Sequence, residues 1–426
     1  MTDIHRRRAL STFVAALAGA VLAPRLRLEA LELPGSGGQP DDETFWRKIR
    51  SAFDLPGSIT NLDNGATGPP PRAVIDDLVR YMRYTEELPA KRLDELFFGT
   101  TRKVVMPRLA TMLGVAPDEI ALVRNATEAL DTVLLGLPLS PGDEVVCSAH
   151  DYWAMLDALE QRRARDGIVL RMIRPPVPAT SDVDLAQLYK AAITTRTRLV
   201  LVTHASNVTG QLYPVQRIAA AAHEVGAEVV VDAAQTLALF PHTIADLDCD
   251  YYGASLHKWL SAPVGSGVLW MRKAHVDKVW PLVPPGDAVG MHRFMNCGTY
   301  PEPIAAAITA AIDLHEQIGA ARKADRLRHL TRYWRRKVEA LPGVRFYTTE
   351  APESSCGLAV FEVSGVDSDK LRDHLWDRHR IVVQSMHGKG RAPEIHGIRV
   401  TPNVYTLVTD LDRLVKAVER VVKRGL

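Results

Sequence analysis

The sequence predicts an α/β protein: a mostly parallel central sheet covered by helices, followed by a smaller C-terminal α+β domain. Three observations predict it. From about residue 73, short Val/Ile-rich strand patterns alternate with helical ones, as in successive βαβ units. The strands are apolar along their whole length, as expected when both faces of a sheet are covered. A long helical pattern over 303–341 then leads into a tail of short strands and two helices.

The elements follow in order. "HRRRALSTFVAALAGAVLAP" places three arginines at 6–8 before an uncharged, Ala-rich run ending at Ala23. That run is too short to span a bilayer comfortably but fits the apolar core of an export signal. Paired arginines ahead of it resemble a twin-arginine signal, so residues 1–30 are expected to direct export to the periplasm or medium, with Ala18-Gly19-Ala20 a candidate cleavage site. The alternative is a basic leader that stays attached to a cytoplasmic protein. Residues 31–72 read as a linker ("LELPGSGGQPD") and an N-terminal segment that joins the small domain or the cleft.

Strands are expected at "EIALV" (119–123), "DEVVCS" (143–148), "IVLRMI" (168–173), "RLVLVTHAS" (198–206), "AEVVVDAAQ" (227–235) and "GSGVLWM" (265–271). Helical patterns such as "TEALDTVLLGL", "YWAMLDALEQRRARDG" and "PVQRIAAAAHEVG" separate them. The large domain is therefore expected over 73–302 and the small one over 303–426. The small domain carries strands at "VRFYTT", "GLAVFEV", "RIVVQS" and "GIRVT" and helices at "SDKLRDHLWDRH" and "DLDRLVKAVERVVKR".

Composition narrows the function. A formal net charge of +2 offers no basic field for nucleic acid or an anionic membrane. The four cysteines, Cys147, Cys249, Cys297 and Cys356, are scattered and form no metal-binding or disulfide pattern. "DLDCD" (246–250) lacks the glycine and distal glutamate of a calcium loop, so no metal site is expected.

The chemistry gathers around "YYGASLHKWL", where Lys258 follows His257 in an apolar stretch. A lysine at a strand end can snorkel its head to water, but an inward one is costly and usually has a chemical task. "RLVLVTHASNVTG" and "AEVVVDAAQ" form one βαβ unit, so a right-handed crossover brings Asn207 and Asp232 to the same sheet edge. Asp232 in "VVVDAAQ" needs a partner, whether a helix cap, backbone amides or a cation. In "EIALVRNATEALDTV" a strand opens into a helix with Asn125 as N-cap, and helix N-termini attract phosphate. A lysine to bind an aldehyde, a carboxylate for a ring nitrogen and a phosphate cradle together point to pyridoxal 5'-phosphate.

The segments "LDNGATGPPP", "NATEALDTV", "SAHDYWAM", "THASNVTGQLYPV", "VVVDAAQ", "YYGASLHKWL", "GSGVLW", "CGTYPEP" and "IRVTPNVY" resemble, in order and spacing, the class V aminotransferase family of fold-type I pyridoxal-phosphate enzymes. The isopenicillin-N-epimerase-like branch is the nearest match. The resemblance runs from about Ile59 to the C-terminus. It implies that Lys258 is the Schiff-base lysine and that Asp232 pairs with the ring nitrogen. Gln235 or Asn207 would bond the ring hydroxyl, and Ala126, Thr127, Ser255 and His257 would hold the phosphate. His150 or Tyr152 would lie over the ring's other face. Gly298 and Thr299 would reach a neighbouring subunit's phosphate in a homodimer, Arg399 would bind the carboxylate of an amino-acid substrate, and Asn64, Gly65 and Ala66 would close over it. Two departures, Tyr300 after the Gly-Thr pair and Tyr405-Thr406 in place of Tyr-Asn, leave substrate preference open.

A persulfide-forming desulfurase would need a cysteine in the loop before Arg399, and "IVVQSMHGKGRAPEIHGIR" contains none. The expected activity is epimerisation or racemisation at an amino-acid α-carbon, with Lys258 on one face and Tyr152 or His150 on the other. Amino transfer and C–S lysis remain open, and a non-catalytic binding or scaffold role is the alternative of another class.

Overall fold

The structure is a computed structural model that describes residues 38–179, 184–349, 351–387 and 390–426. The expected export signal (1–30), residues 31–37 of the linker and Lys389 lie outside the described residues.

A two-residue strand, β1 (Thr60–Asn61), precedes the central sheet. That sheet comprises β2 (Ile120–Val123), β3 (Glu144–Ser148), β4 (Val169–Ile173), β5 (Thr197–Thr203), β6 (Glu228–Asp232), β7 (Tyr251–Ser255) and β8 (Gly267–Met271). Their spatial order is β2-β8-β7-β6-β5-β3-β4. The strands β4, β3, β5, β6 and β7 run parallel, whereas β8 is antiparallel to both β7 and β2. Tyr251–Ser255 is a central strand that the pattern around Lys258 only hinted at. "DLDCD" ends a short helix, Ile244–Leu247, and turns at Asp248 in the left-handed region. Asp248 and Asp250 then bind Arg272 at 3.1 and 2.9 Å.

Every residue of β2, β3, β7 and β8 is buried, because helices pack on both faces and water reaches neither. On one side the helices Ala126–Gly136 and Trp153–Asp166 share a core with Leu199, Leu201 and Tyr251. On the other, Val215–His223 joins a core containing Val200, Val202, Val229 and Val231. The alternation of cores along β5 follows from the period of two along a strand.

The small domain holds β9 (Val344–Phe346), β10 (Ala359–Val363), β11 (Ile381–Val382), β12 (Gln384–His387) and β13 (His396–Val400). Four of these form an antiparallel sheet in the order β12-β13-β10-β9, while β11 pairs in parallel with β1. The N-terminal segment thus bridges the two domains, since its Phe45, Trp46, Ile49 and Phe53 lie in the large core.

The helical pattern over 303–341 is two helices rather than one. Glu302–Ile318 and Ala320–Glu339 meet at Gly319, whose φ of +85° strains any residue with a Cβ. The first helix belongs to the large core, through Ala305, Ile308 and Ile312. Core membership changes along the second, from Leu327 in the large core to Leu330 and Trp334 in the small one. The change from one core to the other therefore falls within the second helix.

At the sheet edge away from the cleft, Glu144 is fully buried and bonds Arg171 Nε, Arg196 Nη2 and the Thr194 hydroxyl, each at 2.6 Å. These donors hold its carboxyl at about 2, with the Arg171 guanidinium the largest cause. A lowered carboxylate pKa contributes stability above the unfolded value near 4.5, and that stability is lost as pH falls towards 2. Glu144→Gln is expected to lower the urea midpoint at pH 7, with the gap to the unmutated protein closing by pH 2.5; equilibrium unfolding at several pH values measures it.

Candidate active site

The carboxyl ends of the parallel strands converge on one cleft, the usual place for ligands in such sheets. Asp232 ends β6 in register with Thr203 of β5 and Gly253 of β7. Ser255 ends β7, and Lys258 follows three residues on. A cavity of about 920 Å³ opens here, lined by Lys258, Asp232, Tyr152, Asn207, Thr127 and Arg399 among others. It lies between the two domains, because Gln384, Ser385 and Arg399 of the small sheet complete its wall.

Lys258 is partly buried and makes no hydrogen bond or ion pair among the described residues. Desolvation lowers its pKa to about 8, opposed by the charge of Asp232 and assisted by that of Arg399. The Lys258 turn itself is tightly held. Gly68 N–H donates to His257 O at 3.0 Å, and a side chain at Gly68 would put its first carbon 2.3 Å from Lys258 O. Only glycine fits that approach.

Asp232 is buried, and desolvation raises its pKa against the opposing effects of the Ala234 amide and Lys258. Its Oδ1 accepts from Ala234 N–H at 2.9 Å, while Oδ2 has no hydrogen-bond partner among the described residues. A ring N–H aimed at that oxygen would supply one.

The helix Ala126–Gly136 points its N-terminus at the cavity. Its N-cap, Asn125, accepts from Glu128 N–H at 2.9 Å, and Ser255 Oγ accepts from Ala126 N–H at 2.9 Å. First-turn amides lack intrahelical partners, so that of Thr127 is left open beside its own hydroxyl. Gly267 permits the arrangement, since a Cβ there would meet the Asn125 backbone at 2.7 Å. His257 pairs Nδ1 with Ser266 O at 3.2 Å, which leaves Nε2 for the cavity it lines. Desolvation and the neighbouring Lys258 lower its pKa. These donors suit a phosphate.

The structure separates the paired expectations. Gln235 is committed at both ends, donating to Gly65 O at 2.9 Å and accepting from the Trp259 indole at 3.0 Å. Asn207 keeps its side-chain amide uncommitted among the described residues and lines the cavity. Tyr152 lines the cavity too, its phenol pKa raised by burial and the Asp232 charge. His150 does not line it; its ring faces Glu394 at 3.4 Å, and burial lowers its pKa.

Gly65 and Ala66 line the cavity, but Asn64 lies behind it, donating to Thr401 O at 2.7 Å and accepting from the Tyr405 hydroxyl. Gly298 and Thr299 are exposed and away from this chain's cavity. At the end of β12, His387 lines the cavity and bonds Asp369 at 3.2 Å, whereas His396, at the start of β13, faces Glu362 at 3.0 Å.

Two features escaped the sequence reading. Arg399 already holds a carboxylate, Asp63, at 2.8 Å, and it donates to Asn207 O at 3.3 Å. Asp151 is a second buried carboxyl in the cavity wall, accepting from Ser148 and Thr203 amides at 2.7 and 3.2 Å. Desolvation raises it to about 8, so it is largely protonated at neutral pH. Nothing in the local sequence distinguishes it from its neighbours.

The family profile "Aminotransferase class-V" matches residues 60–414. The chain belongs to the class V aminotransferase family. An isopenicillin N epimerase from Amycolatopsis lactamdurans is 30% identical over 89% of this chain and 99% of its own length. A probable cysteine desulfurase from Pseudomonas aeruginosa is 31% identical over 87% and 95%. The apo structure of a cysteine desulfurase from Thermococcus onnurineus NA1 superposes with a TM-score of 0.79 at 24% identity, over 89% of this chain and 98% of the other, and shares the fold. As a class V family member this chain is a pyridoxal-phosphate enzyme, and the open Asp232 oxygen, the uncoupled Lys258 and the Thr127 amide fit that cofactor.

An amine is nucleophilic only when neutral, and the neutral fraction of Lys258 grows as pH passes about 8 rather than the ordinary 10.5. Capture of pyridoxal phosphate by the apoenzyme is therefore expected to accelerate between pH 7 and 9 and then level off. Stopped-flow absorbance measures the rate, and Lys258→Ala should form no borohydride-sensitive band.

Proposed function

We propose that this enzyme inverts the α-carbon of an amino acid, as an epimerase or racemase. The observation that carries the reading is the pairing of Lys258 with Tyr152 in one cavity that no cysteine lines. Pyridoxal phosphate, when bound, supplies an electron sink that acidifies the α-proton of an attached amino acid. Inversion needs one proton-bearing group on each face. Lys258 Nζ, poised by desolvation near neutrality, takes or returns the proton on one side. Tyr152 Oη serves the other, while His150 is turned to Glu394.

The remaining residues position and bind. With the cofactor bound, Asp232 Oδ2 would accept the ring N–H, Asn207 would bond the ring hydroxyl, and Thr127, Ser255 and His257 would hold the phosphate. Arg399 binds the substrate carboxylate through its planar fork, sharing its charge with Asp63. The four cysteines stand apart. Cys147, Cys249 and Cys356 are buried with thiol pKa values raised by desolvation, and Cys297, though exposed, does not line the cavity. That favours chemistry at the α-carbon over persulfide formation. The relative named isopenicillin N epimerase supports the same reading.

Two further parts of the proposal concern assembly and location. The enzyme acts as a homodimer in which Gly298 and Thr299 complete the partner's phosphate site. Exposed Trp280 and Val289, 74% and 75% accessible on the same stretch of chain, support a covered surface there. The arginine-led N-terminus supports export by the twin-arginine route.

Incubation in heavy water with a panel of amino acids is expected to give α-deuteration with inversion, followed by mass spectrometry and chiral separation. Tyr152→Phe should cut inversion roughly 100-fold, within the range for a lost general acid or base, yet retain exchange without inversion. Release of a keto acid or sulfide in place of inversion would assign amino transfer or C–S lysis instead.

A further inference from the structure

Lys323 sits in the first turn of the helix Ala320–Glu339, 3% exposed, and the proposed chemistry makes no use of it. Among the described residues it faces no carboxylate. Its ammonium donates to the main-chain carbonyl of Trp259, the residue after Lys258. Its charge acts on His315, near the end of the preceding helix, whose own pKa is depressed by burial and by the lysine. Burying an ammonium against a single carbonyl is costly, and an apolar side chain of similar length would pack more cheaply.

The carbonyl is not an isolated acceptor. Trp259, fully buried, donates its indole N–H to Gln235 Oε1 at 3.0 Å. Gln235 Nε2 donates to Gly65 O at 2.9 Å, and Gly65 N–H donates to Thr401 Oγ1 at 2.9 Å. The line of bonds runs from the inter-domain helix, past the Lys258 turn, to the Gly65 wall of the cavity and the end of β13.

We propose that Lys323 is a positioning residue, anchoring the Lys258–Trp259 backbone so that the cofactor-bearing amine keeps its place relative to the Gly65 wall. The proposal rests on Lys258 as the cofactor lysine and is independent of which bond at the α-carbon is broken. Its burial lowers the lysine to about 7, so a neutral donor can replace it.

The test uses the holoenzyme and compares Lys323→Met, which removes the donor, with Lys323→Gln, which keeps one. Three readouts are recorded: visible circular dichroism of the bound cofactor, its rate of loss to hydroxylamine, and thermal melting. Lys323→Met is expected to bind a full complement of cofactor and melt close to the unmutated protein. It should lose more than half the visible dichroism and release cofactor about tenfold faster, and Lys323→Gln should restore both to within threefold. The proposal is overturned if Lys323→Met matches the unmutated protein in dichroism and release, or if Lys323→Gln rescues neither. Should Lys323→Met fail to fold, Lys323→Gln alone decides, native dichroism supporting the proposal and diminished dichroism refuting it. Should Lys258→Ala retain a borohydride-sensitive band, the assignment of Lys258 is wrong and the Lys323 role falls with it.

Discussion

The site depends on one electrostatic constraint: Lys258 and Asp232, partly and fully buried, share one cavity without forming a salt bridge. A close pair would neutralise both charges and leave neither group for chemistry. Held apart, each remains incompletely compensated, with the lysine pulled down towards neutrality and the carboxyl pulled up. Such opposed shifts in one cleft mark a functional site. The sheet makes the separation rigid. Asp232 is fixed by the register of β5, β6 and β7, and Lys258 by a turn pressed against Gly68.

Asp151 extends that constraint. Burial raises its pKa, and the charge of Asp232 raises it further. Two carboxyls in one low-dielectric region cannot both ionise cheaply. The arrangement at Arg399 differs: Asp63 compensates its charge at 2.8 Å, so the guanidinium is already oriented in the cavity wall. Preorganisation of this kind lowers the entropic cost of binding.

Much of the site was legible in the sequence because its residues fall at strand ends and helix starts, which leave local signatures. Asn125 announces itself as a cap, Asp232 as a carboxylate closing an apolar strand, and Lys258 as a charge in an apolar stretch. Asn64 misled, because a residue adjacent to a cavity wall can face either way, and it faces Thr401 and Tyr405. Asp151 and Lys323 were silent, because burial of a charged side chain among distant segments leaves no periodic mark. The helix break at Gly319 was also missed, since the apolar pattern continues through it.

The sequence by itself determined the alternation of strands and helices, the sheet edge on which Asn207, Asp232 and Lys258 meet, and the family to which the chain belongs. Those follow from local periodicity and chain crossover rules that operate within tens of residues. Only the tertiary structure shows that Gln235 is committed to Gly65 and Trp259, that His150 faces Glu394, and what Arg399 already holds. These turn on partners far apart in the chain, such as Gln235 with Gly65, His150 with Glu394 and Arg399 with Asp63. A hydrogen bond between residues hundreds of positions apart is a property of the packed chain, so no reading of one segment contains it.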